Sequence, residues 1–196
     1  MTQHHAGPTD VTHLEGLLSR RRLFSLGLGA AAAAVALSPR LASASLPTGG
    51  NRVLGFYNEH TGEAVKATYW ENGQYDPAAL KDINFILRDH HNDEVTSIDV
   101  HLLDLLTELH RRSGSKQAFQ VVCGYRSPQT NAILASEGGG VARNSLHVSG
   151  KAIDIRVADR SPRQIRDCAK LLRLGGVGYY PRAAFVHVDS GPIRYW

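Results

Sequence analysis

Residues Ala152 to Val157 read Ala-Ile-Asp-Ile-Arg-Val, and Phe185 to Asp189 read Phe-Val-His-Val-Asp. Successive side chains of a β-strand point to opposite faces. Ile153, Ile155 and Val157 therefore share one face of the first strand, and Asp154 lies on the other. In the second, Val186 and Val188 oppose Phe185, His187 and Asp189. The chain must build a sheet that buries one face, and each strand carries a polar, chemistry-bearing side chain on its other face.

The other elements surround this pair. Arg52 to Tyr57 and Ala64 to Trp70 are rich in Val, Phe, Tyr and Thr, and His60-Thr61-Gly62 between them marks a hairpin. Asp76-Pro77 opens a helix, with Asp as N-cap and Pro at the first helical position. Leu80, Ile83, Ile86 and Leu87 give its apolar stripe. A second helix, capped by Ser97, carries Val100, Leu103, Leu106 and Leu109 and ends at Ser113-Gly114. Phe119 to Val122 is a strand, and Ser127-Pro128 starts a short helix reaching about Glu137. Ser161-Pro162 starts a helix with Ile165, Cys168 and Leu172 on one face. Gly175 to Tyr180 and Ala184 to Val188 are the last strands. This order predicts an α+β fold, an antiparallel sheet flanked by helices.

Residues 1–44 stand apart. Arg20-Arg21-Arg22-Leu23-Phe24 precedes the apolar run Leu26 to Leu37, and Ala42-Ser43-Ala44 follows. A charged head, a short apolar run and an A-x-A site make a secretory signal. The run is too short to span a bilayer comfortably, so no stable membrane insertion is expected after cleavage. Arg21-Arg22-Leu23-Phe24 resembles the twin-arginine export signal, which implies the twin-arginine machinery as partner and the periplasm as destination. Residues 45–50 read as a linker, leaving a single domain over 51–196. Residues 1–44 hold four of the 22 basic residues and two of the 18 acidic ones, so the mature net charge is +2. That gives no footprint for nucleic acid.

Ser145 to Asp154 reads Ser-Leu-His-Val-Ser-Gly-Lys-Ala-Ile-Asp. Gly150 allows the chain to double back, bringing the loop residue His147 toward the strand residue Asp154. Two imidazoles and one carboxylate, His147, Asp154 and the distant His187, suit Zn²⁺ with a position left open for water. Such an ion lowers the pKa of water and polarises a carbonyl. By spacing alone, Asp154 capping a turn and His187 as a core histidine remain open readings. Neither Cys123 nor Cys168 has metal-site spacing; a disulfide between them and two buried thiols are both open.

The pattern S-x-H-x-x-G-x-A-x-D followed by a distant His resembles zinc metallopeptidases of the D-Ala-D-Ala type, which share the hedgehog domain fold. The match to the murein endopeptidase K-like group also takes in the signal, His60-Thr61-Gly62-Glu63, Arg88-Asp89, Gly124-Tyr125-Arg126-Ser127 with Thr130-Asn131, and Gly175 through Tyr180-Pro181-Arg182 to Trp196. The resemblance implies Zn²⁺ held at the sheet end by His147, Asp154 and His187, and hydrolysis of peptide cross-links in peptidoglycan. It places Arg126 near the scissile bond, to stabilise an oxyanion or hold a carboxylate. Ser145 either binds substrate or braces the turn before His147. Many relatives carry H-x-H where this chain has Phe185, so the general base is open. Asp189 is the nearest candidate, with orientation of a ligand imidazole as its alternative role.

Two other functions fit these residues. One is a carboxypeptidase that trims stem peptides, and the other is a wall-binding module without turnover. His90-His91 reads as solvated surface, His101 and His110 as helix residues without metal partners, and Gly138 to Gly140 as a flexible loop lining the cleft.

Overall fold

The computed structural model describes residues 50–138 and 141–196. The signal over 1–44, all of the linker except Gly50, and Gly139-Gly140 of the glycine loop lie outside the described residues.

The strands are β1 (Arg52–Asn58), β2 (Ala64–Glu71), β3 (Gln74–Tyr75), β4 (Phe119–Cys123), β5 (Ala152–Val157), β6 (Gly176–Tyr180), β7 (Phe185–Asp189) and β8 (Arg194–Tyr195). The helices are α1 (Pro77–Ile86), α2 (Val100–Ser113), α3 (Pro128–Ser136) and α4 (Pro162–Leu172), with a 3₁₀ turn at Leu146–Ser149. All eight strands form one sheet in the order β3-β2-β1-β4-β5-β7-β6-β8.

The sheet is mixed rather than antiparallel. β1 pairs parallel with β4, and β6 pairs parallel with β8. Between β2 and β4 the chain spends α1 and α2, a connection long enough to return β4 to the same direction as β1. β3 and β8 have two residues each, too short to show a strand period in the sequence.

The alternation in β5 and β7 separates the two faces as expected. Ile153, Ile155, Val157, Val186 and Val188 join one core with Leu54, Phe56, Tyr69, Phe119 and Val121. α1, α2 and α4 cover that face through Ile83, Leu102, Leu103, Leu106, Leu109, Ile165, Ala169 and Leu172. The caps of α1, α3 and α4 are Asp76, Ser127 and Ser161. The cap of α2 is Asp99, not Ser97. A carboxylate accepts on both oxygens: Oδ1 receives the His101 amide at 3.0 Å, and Oδ2 the Ser190 hydroxyl at 2.8 Å. One side chain thus starts α2 and ties it to the chain leaving β7.

Candidate metal centre

The register of the central strands sets Cys123, Asp154, His187 and Gly178 in a row across β4, β5, β7 and β6. Directly paired residues project to the same face. A bulge in β4 completes the row. Val121 pairs with Ile155, but the next pair is Cys123 with Asp154, so Val122 is skipped and the thiol turns to the face opposite the core.

His147 reaches this row from the 3₁₀ turn. Ser145 caps the turn, its Oγ accepting the His147 amide at 3.3 Å, and Gly150 closes it at φ +64°. A side chain at Gly150 would also press on the Ser97 carbonyl, 2.5 Å from its Cβ.

Each imidazole is anchored by its outer nitrogen. His147 Nδ1 lies 2.7 Å from the Gly124 carbonyl, and His187 Nε2 lies 3.0 Å from Asp189 Oδ2. Those oxygens only accept, so both nitrogens carry protons and the inner nitrogens present lone pairs. His147 Nε2 is 3.2 Å from His187 Nδ1, His187 Nδ1 is 2.9 Å from Asp154 Oδ1, and His147 Nε2 is 3.4 Å from Asp154 Oδ1. Ligand atoms about 2.0–2.1 Å from a tetrahedral ion stand roughly 3.3 Å apart. The donor set therefore fits a divalent metal. Electrostatics agree. With no ion between the donors, Cys123 and Asp154 outweigh the burial that opposes a charge on His147 and draw a second proton to its inner nitrogen, raising its pKa to about 10; a bound metal would take that proton's place. Burial favours the neutral acid at Asp154, yet His147 and His187 hold it well below the usual carboxylate range. The pocket favours a positive charge between these atoms, which a metal supplies.

Asp189 sits behind His187, fully buried. Its Oδ1 accepts from the amides of Gly176 at 3.2 Å and Gly191 at 2.9 Å and from Arg194 at 3.1 Å; Oδ2 accepts from Arg194 at 2.8 Å and from His187. Burial would raise its pKa, but the His187 and Gly191 bonds and the Arg194 charge together lower it. Gly176 is glycine for this reason, since a Cβ there would stand 2.4 Å from Asp189 Oδ2. A carboxylate with every oxygen engaged, outside the cleft, is not where a general base meets water.

The cleft over the three donors has a volume of about 550 Å³. Arg126, Ser145, Tyr180, Phe185 and Trp196 line it with the donors, and Asp154 is the one acidic side chain among the described lining residues. Arg126 donates to Asn131 Oδ1 and to Cys123 Sγ, each at 3.3 Å, and has no carboxylate partner among the described residues.

A family model described as peptidoglycan L,D-endopeptidase MepK matches residues 46–196. The peptidoglycan L,D-endopeptidase MepK of Escherichia coli K12 is 40% identical over 178 residues, 91% of this chain and 97% of the relative. The protein of that name in Shigella flexneri matches to the same extent. The probable MepK of Haemophilus influenzae is 38% identical over 172 residues, 87% of this chain and 92% of the relative. The chain belongs to the MepK family of peptidases.

The motifs that carried the MepK resemblance prove to be one scaffold. Glu63 of His60-Thr61-Gly62-Glu63 accepts from Arg88 Nη1 at 2.7 Å, and Asp89 Oδ2 accepts the Ser127 amide at 2.9 Å. The Tyr125 amide donates to the Leu87 carbonyl at 2.7 Å, and a Cβ at Gly124 would stand 2.4 Å from that oxygen. These bonds hold Gly124 to Ser127 in place, and with it both the carbonyl that orients His147 and the backbone of Arg126. Tyr125 packs inward, its hydroxyl donating to Glu94 at 2.7 Å.

Asp89 supplies a pH test of this scaffold. Burial favours its neutral form, but hydrogen bonds from Thr130, His91 and Ser127 prevail and depress its pKa far below the ordinary value. A depressed carboxylate stabilises the fold above its unfolded pKa of about 3.9 and loses that contribution as pH falls through its folded value. Urea unfolding of the metal-free protein should therefore show stability declining below about pH 4. Asp89→Asn should be less stable at neutral pH and decline less on acidification. An identical acid dependence in the variant would refute the assignment.

The other histidines differ in part from the sequence reading. His101 is exposed. His90 is half-buried, its ring stacked on His60 at 3.7 Å between centroids with planes 3° apart. Burial and the neighbouring His60 and His91 lower its pKa to about 4. Asp89, His90 and His91 approach one another closely enough to share an ion. Asp89 is already engaged by the Ser127 amide and by both the amide and the ring of His91, and the His90 ring is stacked on His60, so these groups serve the scaffold. Sequence reading also missed Cys123, whose thiol lies within 4.8 Å of donor atoms of His147 and Asp154. Only the bulge beside Val122 brings it there. Both cysteines are free, and no disulfide joins them.

Proposed function

We propose that the protein is a Zn²⁺-dependent endopeptidase that hydrolyses peptide cross-links of peptidoglycan in the periplasm, after twin-arginine export. The observation that carries the reading is the convergence of three anchored donors beneath a cleft with an unpaired arginine, in a chain of the MepK family. His147 Nε2, Asp154 Oδ1 and His187 Nδ1 would hold the ion, and two imidazoles with one carboxylate suit zinc. Zinc, when bound, acts as a Lewis acid and makes water a better nucleophile near neutral pH. Arg126 meets the charge that develops on the scissile carbonyl, or a carboxylate of the stem. Ser145 fixes the turn that carries His147 and offers its hydroxyl at the cleft wall. Asp189 orients His187 and takes no proton from water. Asp154, the one acidic side chain among the described lining residues, is spent as a metal donor.

Purified sacculi digested with zinc-loaded mature protein should lose cross-linked dimers while monomer stems keep their length. Shortened monomers beside intact dimers would make it a carboxypeptidase, and binding without any cleavage would make it a wall-binding module. Metal analysis should return about one zinc per chain. Arg126→Ala should lower kcat/KM about 10²–10³-fold while metal content stays within about twofold, the loss typical of one oxyanion donor. Replacing Arg21 and Arg22 by Lys should abolish export of the full-length chain, measured by fractionation; undiminished export would reject the twin-arginine route.

A further inference from the structure

Trp196 is the largest of the aromatic side chains at the cleft, and no step above uses it. It is half-exposed, yet held at every other side. Its amide donates to the Val177 carbonyl at 3.2 Å, and its carbonyl accepts from the Tyr179 amide at 3.0 Å. The indole Nε1 donates to the Tyr180 hydroxyl at 2.9 Å. The ring lies 5.2 Å from that of His187, and the Arg194 guanidinium stands 5.0 Å from its centroid. The indole also covers Gly178, the residue paired with His187 in the row that holds the donors. A Cβ on Gly178 would stand 2.6 Å from the indole. One position of the sheet has thus given up its side chain to seat this ring. An exposed aromatic that is free to move is ordinary surface, but one fixed beside a site offers a binding face at low entropic cost.

We propose that Trp196 is a specificity-determining residue, whose indole forms the wall against which the aliphatic carbons of the cross-link residue beside the scissile bond pack. This rests on the endopeptidase reading. The wall adjoins His187, so a chain lying on it passes over the three donors. Tyr180 and Phe185, stacked at 4.6 Å, continue the same apolar surface along the cleft.

Cross-linked muropeptide dimers purified from sacculi are the probe. Trp196→Ala should raise KM roughly tenfold, the loss expected on truncating a fixed aromatic anchor, with kcat and zinc affinity within about threefold. Trp196→Phe should keep KM within about threefold of the parent. Gly178→Ala, which unseats the ring without changing it, should raise KM like Trp196→Ala. An unchanged KM in Trp196→Ala or Gly178→Ala would overturn the proposal. So would a fall in zinc affinity that parallels the fall in activity, because the residue would then brace the metal. The chain has two tryptophans, and Trp70 lies on β2 at the far side of the sheet. In a Trp70→Phe background, emission from Trp196 should shift on titration with dimers, and no shift at saturating dimer would overturn the assignment. A shift without hydrolysis would sink the endopeptidase reading and leave the binding wall standing.

Discussion

Asp154→Asn is expected to lower kcat/KM by about 10³-fold or more, a loss of roughly 4 kcal/mol of transition-state stabilisation, and to leave the protein without stoichiometric metal. Asp154 Oδ1 lies 2.9 Å from His187 Nδ1 and 3.4 Å from His147 Nε2. Both nitrogens present lone pairs there, because their partners on the outer side are acceptors. Asn keeps the shape but removes the one formal negative charge among the three donors. Zinc analysis after dialysis, with kinetics on muropeptide dimers, reads the result. A variant that keeps one zinc per chain and full turnover would remove Asp154 from the donor set.

Asp189→Ala is expected to weaken zinc binding about 10–100-fold through His187, whose ring would lose its anchor. It should also destabilise the metal-free fold by about 2–4 kcal/mol, since buried donors lose their acceptor. The amides of Gly176 and Gly191, the Arg194 guanidinium and His187 Nε2 all end on this carboxylate. Chelator competition and urea unfolding measure the two effects separately. If metal affinity and stability stayed as in the parent while turnover vanished, Asp189 would be the general base after all. Asp189→Asn should recover part of the stability, because its one amide oxygen accepts in place of two.

The two alternating strands were legible because burial acts on single residues. Ile153, Ile155, Val186 and Val188 lie fully buried where a period of two places them, and Asp154 and His187 oppose them. Helix starts were legible where a capping residue stands directly before Pro, as at Asp76-Pro77 and Ser161-Pro162. The start of α2 was misread. Ser97 and Asp99 are both good caps, and the bond from Asp99 to Ser190, 91 residues away, leaves no trace in local sequence. The sense of the sheet was misread for a related reason. Strand direction follows from where α1 and α2 return the chain, not from the composition of β1 or β4.

At the site, His147, Asp154 and His187 could be named from the sequence, because few residue types bind a metal and the resemblance marked their positions. The work of Asp189, Cys123, Gly178 and Trp196 could not. Asp189 reads from the chain as a polar residue on the His187 face. Only the amides of Gly176 and Gly191 and the side chain of Arg194 reveal that both its oxygens are engaged. Cys123 enters the row because β4 bulges, and Gly178 is bare because an indole from beyond β8 rests on it. Residue chemistry and short-range period are written along the chain, so the sequence alone determined the longer elements, the buried face and the three candidate donors. Register, bulges and the partners of buried polar atoms arise between segments far apart in the chain, so the tertiary structure alone decided which groups are held, which are free and which face the cleft.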